Sequence, residues 1–67
     1  MISDYEHIVG KDYVFTDGVK LRVVQIKQRE LGLYVTYEHV YQGAIPRRFT
    51  QKLSEFVDTY GHLFPKQ

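Results

Sequence analysis

Cysteine is absent from this 67-residue chain, so neither a disulfide framework nor a thiolate metal site is open to it. That absence agrees with a reducing, cytoplasmic setting. Proline occurs only at 46 and 65, each time isolated, and there is no internal repeat, low-complexity tract or linker. No apolar run approaches the ~18 residues that would suggest a membrane-spanning helix. The start, Met1 to His7, is acidic and lacks the basic-then-apolar layout of a secretion signal, which predicts a chain that stays where it is made. Neither sign of charge dominates. Nine Lys and Arg against eight Asp and Glu leave a formal net charge of +1. Such a balance argues against a dedicated polyelectrolyte binder, while leaving room for a local basic patch.

What the chain does have is aromatic mass. Six Tyr and four Phe make 15% of the residues, within an ordinary hydrophobic fraction of 43%. Large rings let a small domain build a core without staples. Room exists for one domain over 1–67, and at this size only ~60% of the unfolded chain's surface is buried.

The first strong local signal is Asp12 to Thr16, then Asp17-Gly18, then Val19 to Lys27. An Asp-Gly pair between two β-prone runs predicts a hairpin, with a type I′ turn that needs positive φ at both central residues. In the second run Val19, Leu21 and Val23 alternate with Lys20 and Arg22. The alternation then slips, because Ile26 continues from Val24 rather than Val23, and a bulge or sharp bend near Val23-Val24 is expected. Gly32 suits the next turn, and Leu33 to Tyr41 reads as a central strand rich in β-branched and aromatic residues. After Gln42-Gly43, Ala44 to about Thr50 reads as a fourth strand, which Pro46 demotes to an edge or a bulged strand.

The end differs in kind. Leu53, Phe56, Val57 and Tyr60 fall at i, i+3, i+4 and i+7, the apolar stripe of an amphipathic helix. Thr50 or Ser54 is its expected N-cap, Gly61 its expected left-handed C-terminal residue, and an open end of the sheet its expected resting place. The fold expected is therefore mainly β: a strongly bent antiparallel meander, or an SH3-like open barrel, of 4–5 strands with a C-terminal helix. The meander spans 12–50 and the helix about 51–60, with terminal segments at 1–9 and 62–67. Residues 1–9 read either as an extra strand at Ile8-Val9 or as a short helix begun at Ser3 or Asp4. His62 to Pro65 either tuck back onto the sheet or meet a second subunit.

Gly10-Lys11-Asp12-Tyr13, Leu21-Arg22-Val23-Val24, Val35-Thr36-Tyr37, Val40-Tyr41, Arg47-Arg48-Phe49 and Ser54-Glu55-Phe56-Val57 resemble short SH3-like domains of unknown function found in bacterial, phage and prophage genomes. The resemblance covers about residues 10–60 and consists mostly of core and turn positions. It implies a stand-alone accessory domain of phage or prophage type. No catalytic residue is carried over from it.

Residues that carry chemistry are sparse. His7, His39 and His62 include no pair at the spacing that aims two imidazoles at one metal. Glu38 and His39 are strand neighbours and point to opposite faces, so they do not form a base and its orienter. There is no Gly-rich phosphate loop, and no scaffold expected to enclose a pocket of a few hundred Å³. The expectation is a non-enzyme with no cofactor, no metal, no membrane contact and no small-molecule substrate.

Surface recognition remains. Lys20, Arg22, Lys27 and Arg29 lie within ten residues that hold no acid, and Arg47, Arg48 and Lys52 add a second cluster. Tyr34 and Thr36 should share the outward face of Lys20 and Arg22. A solvated, edge-protecting face is the plain reading of such residues. The candidate contact residues are Lys20, Arg22, Lys27, Tyr34, Arg47 and Arg48. They suit an accessory or inhibitor module that recognises a protein partner or a second copy of itself. The alternative is a nucleic-acid-binding small barrel, with cations for phosphates and a ring for a base.

Overall fold

Asp17-Gly18 does reverse the chain. In the computed structural model, which describes residues 5–64, β1 (Asp12–Thr16) and β2 (Val19–Arg29) pair antiparallel on either side of it. β3 (Gly32–Tyr41) and β4 (Arg47–Lys52) follow, forming an open four-stranded antiparallel sheet in the order β1-β2-β3-β4. The helix α1 (Leu53–Tyr60) leaves β4 without a loop. Short 3₁₀ turns occupy Glu6–Ile8 and Gly61–Leu63. Of the two forms expected near the N-terminus, the strand at Ile8-Val9 does not form, and Ile8 instead closes a helical turn. Met1 to Asp4, where the alternative helix would begin, lie outside the described residues.

The first turn is not the type I′ expected. Gly18 has φ +78°, whereas no described residue other than glycine has positive φ, Asp17 included. One left-handed glycine closes the reversal, and a register shift between Val14 and Thr16 takes up the mismatch. The bulge in β2 is where the alternation predicts it. Val23 faces Tyr37 and Gln25 faces Thr36, which leaves Val24 as the extra residue. That single insertion keeps Val23 and Ile26 on the same face of the sheet, and both contribute to the core. The peptide before β1 is tied in as well: the Gly10 amide donates to the Val23 carbonyl (2.8 Å) and the Val23 amide to the Lys11 carbonyl (3.2 Å).

β4 begins after Pro46 rather than spanning it, and it reaches Lys52. Proline lacks the N–H a ladder needs, so the strand starts only once it is passed. Thr50 therefore lies within the sheet, where its hydroxyl meets that of Thr36 at 3.1 Å, and it cannot cap the helix. Ser54 lies inside α1, and the N-cap position falls to Lys52, whose extended backbone makes no side-chain cap. Gly61 is right-handed (φ −56°, ψ −29°) rather than left-handed, because the chain runs on into the second 3₁₀ turn. Its lack of a side chain still matters, since a Cβ there would sit 3.1 Å from Val57 Cγ1.

All the helical mass lies on one face of the sheet. Phe56 is fully buried and packs against Tyr37, Tyr60 and Phe64 at ring separations of 5.0, 5.2 and 5.5 Å. The stripe thus rests on the middle of the sheet at Tyr37 rather than on an open end. Phe64 folds back onto Tyr13 (4.8 Å, edge to face), so the C-terminal apolar residues close the core. Ile8, Leu21, Val23 and Val35 complete it with no exposed surface. The opposite face of the sheet carries no second layer among the described residues, and function has to be sought there and along the edges.

Candidate recognition surface

The uncovered face is organised in cross-strand rows, because partners opposite each other in a sheet lie within side-chain reach. Tyr34, Thr36, Glu38 and Val40 of β3 each mark one row. At one end Val14, Lys20 and Val40 line up across β1, β2 and β3. With Thr16, Gly18 and Gln42 they border an open groove of about 330 Å³ beside the first hairpin. A concavity of this size was not expected from the sequence. The hairpin turns and the shift at Val14/Thr16 shape it, and the shift has no distinct sequence signature.

The next row is Asp12, Arg22, Glu38 and Arg48, one residue from each strand with alternating charge. The Arg22 guanidinium donates to both Asp12 carboxylate oxygens, at 2.8 and 3.2 Å, and approaches Glu38 at 3.9 Å. Arg48 donates twice to Glu38 Oε2, at 3.2 and 2.9 Å. The hydrogen bonds from Arg22 hold the Asp12 carboxyl below its usual range and raise the guanidinium above its own. Exposed pairs of this kind contribute little stability individually, but they neutralise the middle of the face. Gln25, Thr36 and Thr50 form the row beyond. The last row is Lys27, Tyr34 and Lys52, with the Arg29 guanidinium 5.8 Å from the centre of the Tyr34 ring.

The six candidate residues are thus separated. Lys27 and Tyr34 sit together at one end, Lys20 at the groove, and Arg22 and Arg48 are consumed by carboxylates. Arg47 faces the helix side, opposite His39, with its guanidinium 6.0 Å from the Phe49 ring centre. Arg47 and Arg48 cannot act as one patch, since strand neighbours point to opposite faces. Arg29 and Lys52 join Tyr34 although neither stood among the six. For Lys52 the missing signal was the β3–β4 register, which the break at Pro46 conceals.

Polar groups on the helix side have structural employment. His39 Nε2 lies 3.1 Å from the Tyr60 hydroxyl, and its ring stacks on Phe15 at 5.4 Å. Burial, then the nearby Arg47 charge, lowers the His39 pKa. Tyr37 is pushed up to about 12, by burial first and by Tyr60 second. Glu38 and His39 do point apart, one to Arg48 and the other to Tyr60. Among the described residues no three His, Asp or Glu side chains gather as a metal site would require, and no helix is long and apolar enough to cross a membrane.

The two edges of the sheet differ. β4 follows Pro46 and carries Arg47, Arg48 and Lys52, the features that discourage strand addition. β1 carries one charge, Asp12, and exposes Val14 (70%) and Phe15 (37%). Comparison with family models, curated proteins and solved structures finds no significant match to this chain.

Proposed function

We propose that the chain is a non-enzymatic accessory or inhibitor module that recognises a protein partner by accepting an extended segment along β1. The observation that carries this reading is the contrast, among the described residues, between the guarded β4 edge and the unguarded β1 edge. An outer strand offers unpaired backbone groups to an incoming strand, and adjacent hollows select alternate side chains. Here the groove at Val14, Lys20 and Val40 lies on one face of that edge, and half-open Phe15 on the other. The incoming segment would present small apolar side chains to the groove. A non-catalytic role is supported by the use of polar groups within the fold: His39 engages Tyr60, and Asp12 and Glu38 engage arginines. The resemblance to domains of phage and prophage genomes supports such a setting, and the lack of cysteine a cytoplasmic one.

The test is selection of ligands from a displayed library of linear peptides, followed by amide hydrogen exchange of the complex. Selected peptides should protect amides within 12–16, and Val14→Lys should weaken them at least about tenfold, as a charge on an edge opposes strand addition. Peptides that bind Val14→Lys equally well, or that protect only amides elsewhere, would refute the proposal.

A further inference from the structure

The far end of the uncovered face is unlike the rest of the sheet. Every arginine of the Asp12 to Arg48 row has a carboxylate within 4 Å, whereas Lys27, Arg29 and Lys52 have none among the described residues. These three cations surround one ring. Lys27 and Lys52 are the direct cross-strand partners of Tyr34 on either side, and Arg29 lies against the ring itself. Two interstrand spacings of ~4.8 Å put the two lysine backbones about 10 Å apart with the tyrosine between them. Like charges gathered around an aromatic centre repel one another, and an anion with a flat apolar part relieves both features at once.

We propose that Lys27, Arg29, Tyr34 and Lys52 form a binding site for single-stranded nucleic acid. A base stacks on Tyr34, beside or in place of the Arg29 guanidinium, while Lys27 and Lys52 meet the phosphates on either side. Stacking is tolerant of sequence because every base has a π-face, so the site would not read a particular base. A duplex keeps its bases inside and offers the ring nothing. The site is independent of β1: the neutralised Asp12-Arg22-Glu38-Arg48 row and the threonine row lie between it and the groove.

Fluorescence polarisation with labelled oligo-dT and oligo-U of about 12 nucleotides, within the site sizes of small β-barrel binders, tests the proposal. Binding should appear at low salt and weaken roughly 7-fold between about 50 and 200 mM, as two phosphate contacts imply for a single strand. Tyr34→Ala should weaken it about 5- to 150-fold, and Tyr34→Trp should retain it. Lys27→Glu with Lys52→Glu should abolish it, while Val14→Lys leaves it unchanged. Both lysines are exposed, so their exchange spares the core; circular dichroism confirms that each variant is folded. Absence of binding at low salt would overturn the proposal. So would a folded Tyr34→Ala variant that binds as well as the parent, or a poly-glutamate peptide that binds as tightly as the oligonucleotides.

Discussion

Phe56 is the side chain through which the helix holds the sheet, and its truncation is the most direct test of the architecture. It has no exposed surface and touches three other rings. Phe→Ala in a core costs ~3–5 kcal/mol, the sum of lost transfer energy and of the cavity left behind. A 67-residue domain at ~0.05–0.15 kcal/mol per residue has only about 3–10 kcal/mol in total. Phe56→Ala should therefore leave the chain largely unfolded or barely folded at 25 °C. Phe56→Leu keeps most of the volume and should cost about 1–3 kcal/mol, between a conservative swap and full truncation. In urea, followed by circular dichroism, an m-value near ~1 kcal/mol/M turns that loss into a midpoint lowered by about 1–3 M. Ser54→Ala is the internal control. Its hydroxyl makes no cap, so the change should stay within about 0.5 kcal/mol, whereas loss of a true N-cap costs ~1 kcal/mol. A Phe56→Ala midpoint within about 0.5 M of the parent would show that the helix does not pack the core.

Two pH limbs are also expected. Tyr37 titrates in the folded chain at about 12 against its usual 10, so the unfolded chain ionises first. The stability it contributes is complete below pH 10 and is lost as pH rises from there towards about 12, an effect of about 3 kcal/mol at ~1.4 kcal/mol per pKa unit. Tyr37→Phe should flatten that alkaline limb in chemical denaturation; an unchanged slope would refute it. His39 is held below its usual 6.5, so on acidification the unfolded chain takes the proton first. Stability should be complete above about pH 6.5 and decline as pH falls through the folded value. His39→Gln should remove this decline, and a decline as steep in the variant as in the parent would sink the assignment to His39.

Much of the architecture was legible in local pattern. Alternation is a property of neighbouring residues, so the slip between Val23 and Ile26 could be read along the chain, and Val24 is the bulged residue. Leu53, Phe56, Val57 and Tyr60 mark a helix by spacing alone, and α1 ends at Tyr60. The ends of elements were less legible, because caps depend on how one element enters the next. β4 runs straight into α1, so Thr50 is held by Thr36 across the sheet and Lys52 takes the cap position. Gly61 was expected for its handedness, but it is right-handed, and a Cβ there would instead crowd the Val57 Cγ1 at 3.1 Å.

The candidate surface depended on register, which no run of adjacent residues encodes. The amino-acid sequence by itself determined that strand cations and Tyr34 would share an outward face of the sheet. Only the tertiary structure decided which cations meet carboxylates and which gather around Tyr34. Register between β3 and β4 is fixed where Tyr37 seats against Phe49 and Phe56, several residues from the row it aligns. Core packing therefore sets the charge arrangement on the opposite face, since a strand shifted by one residue would exchange its two faces.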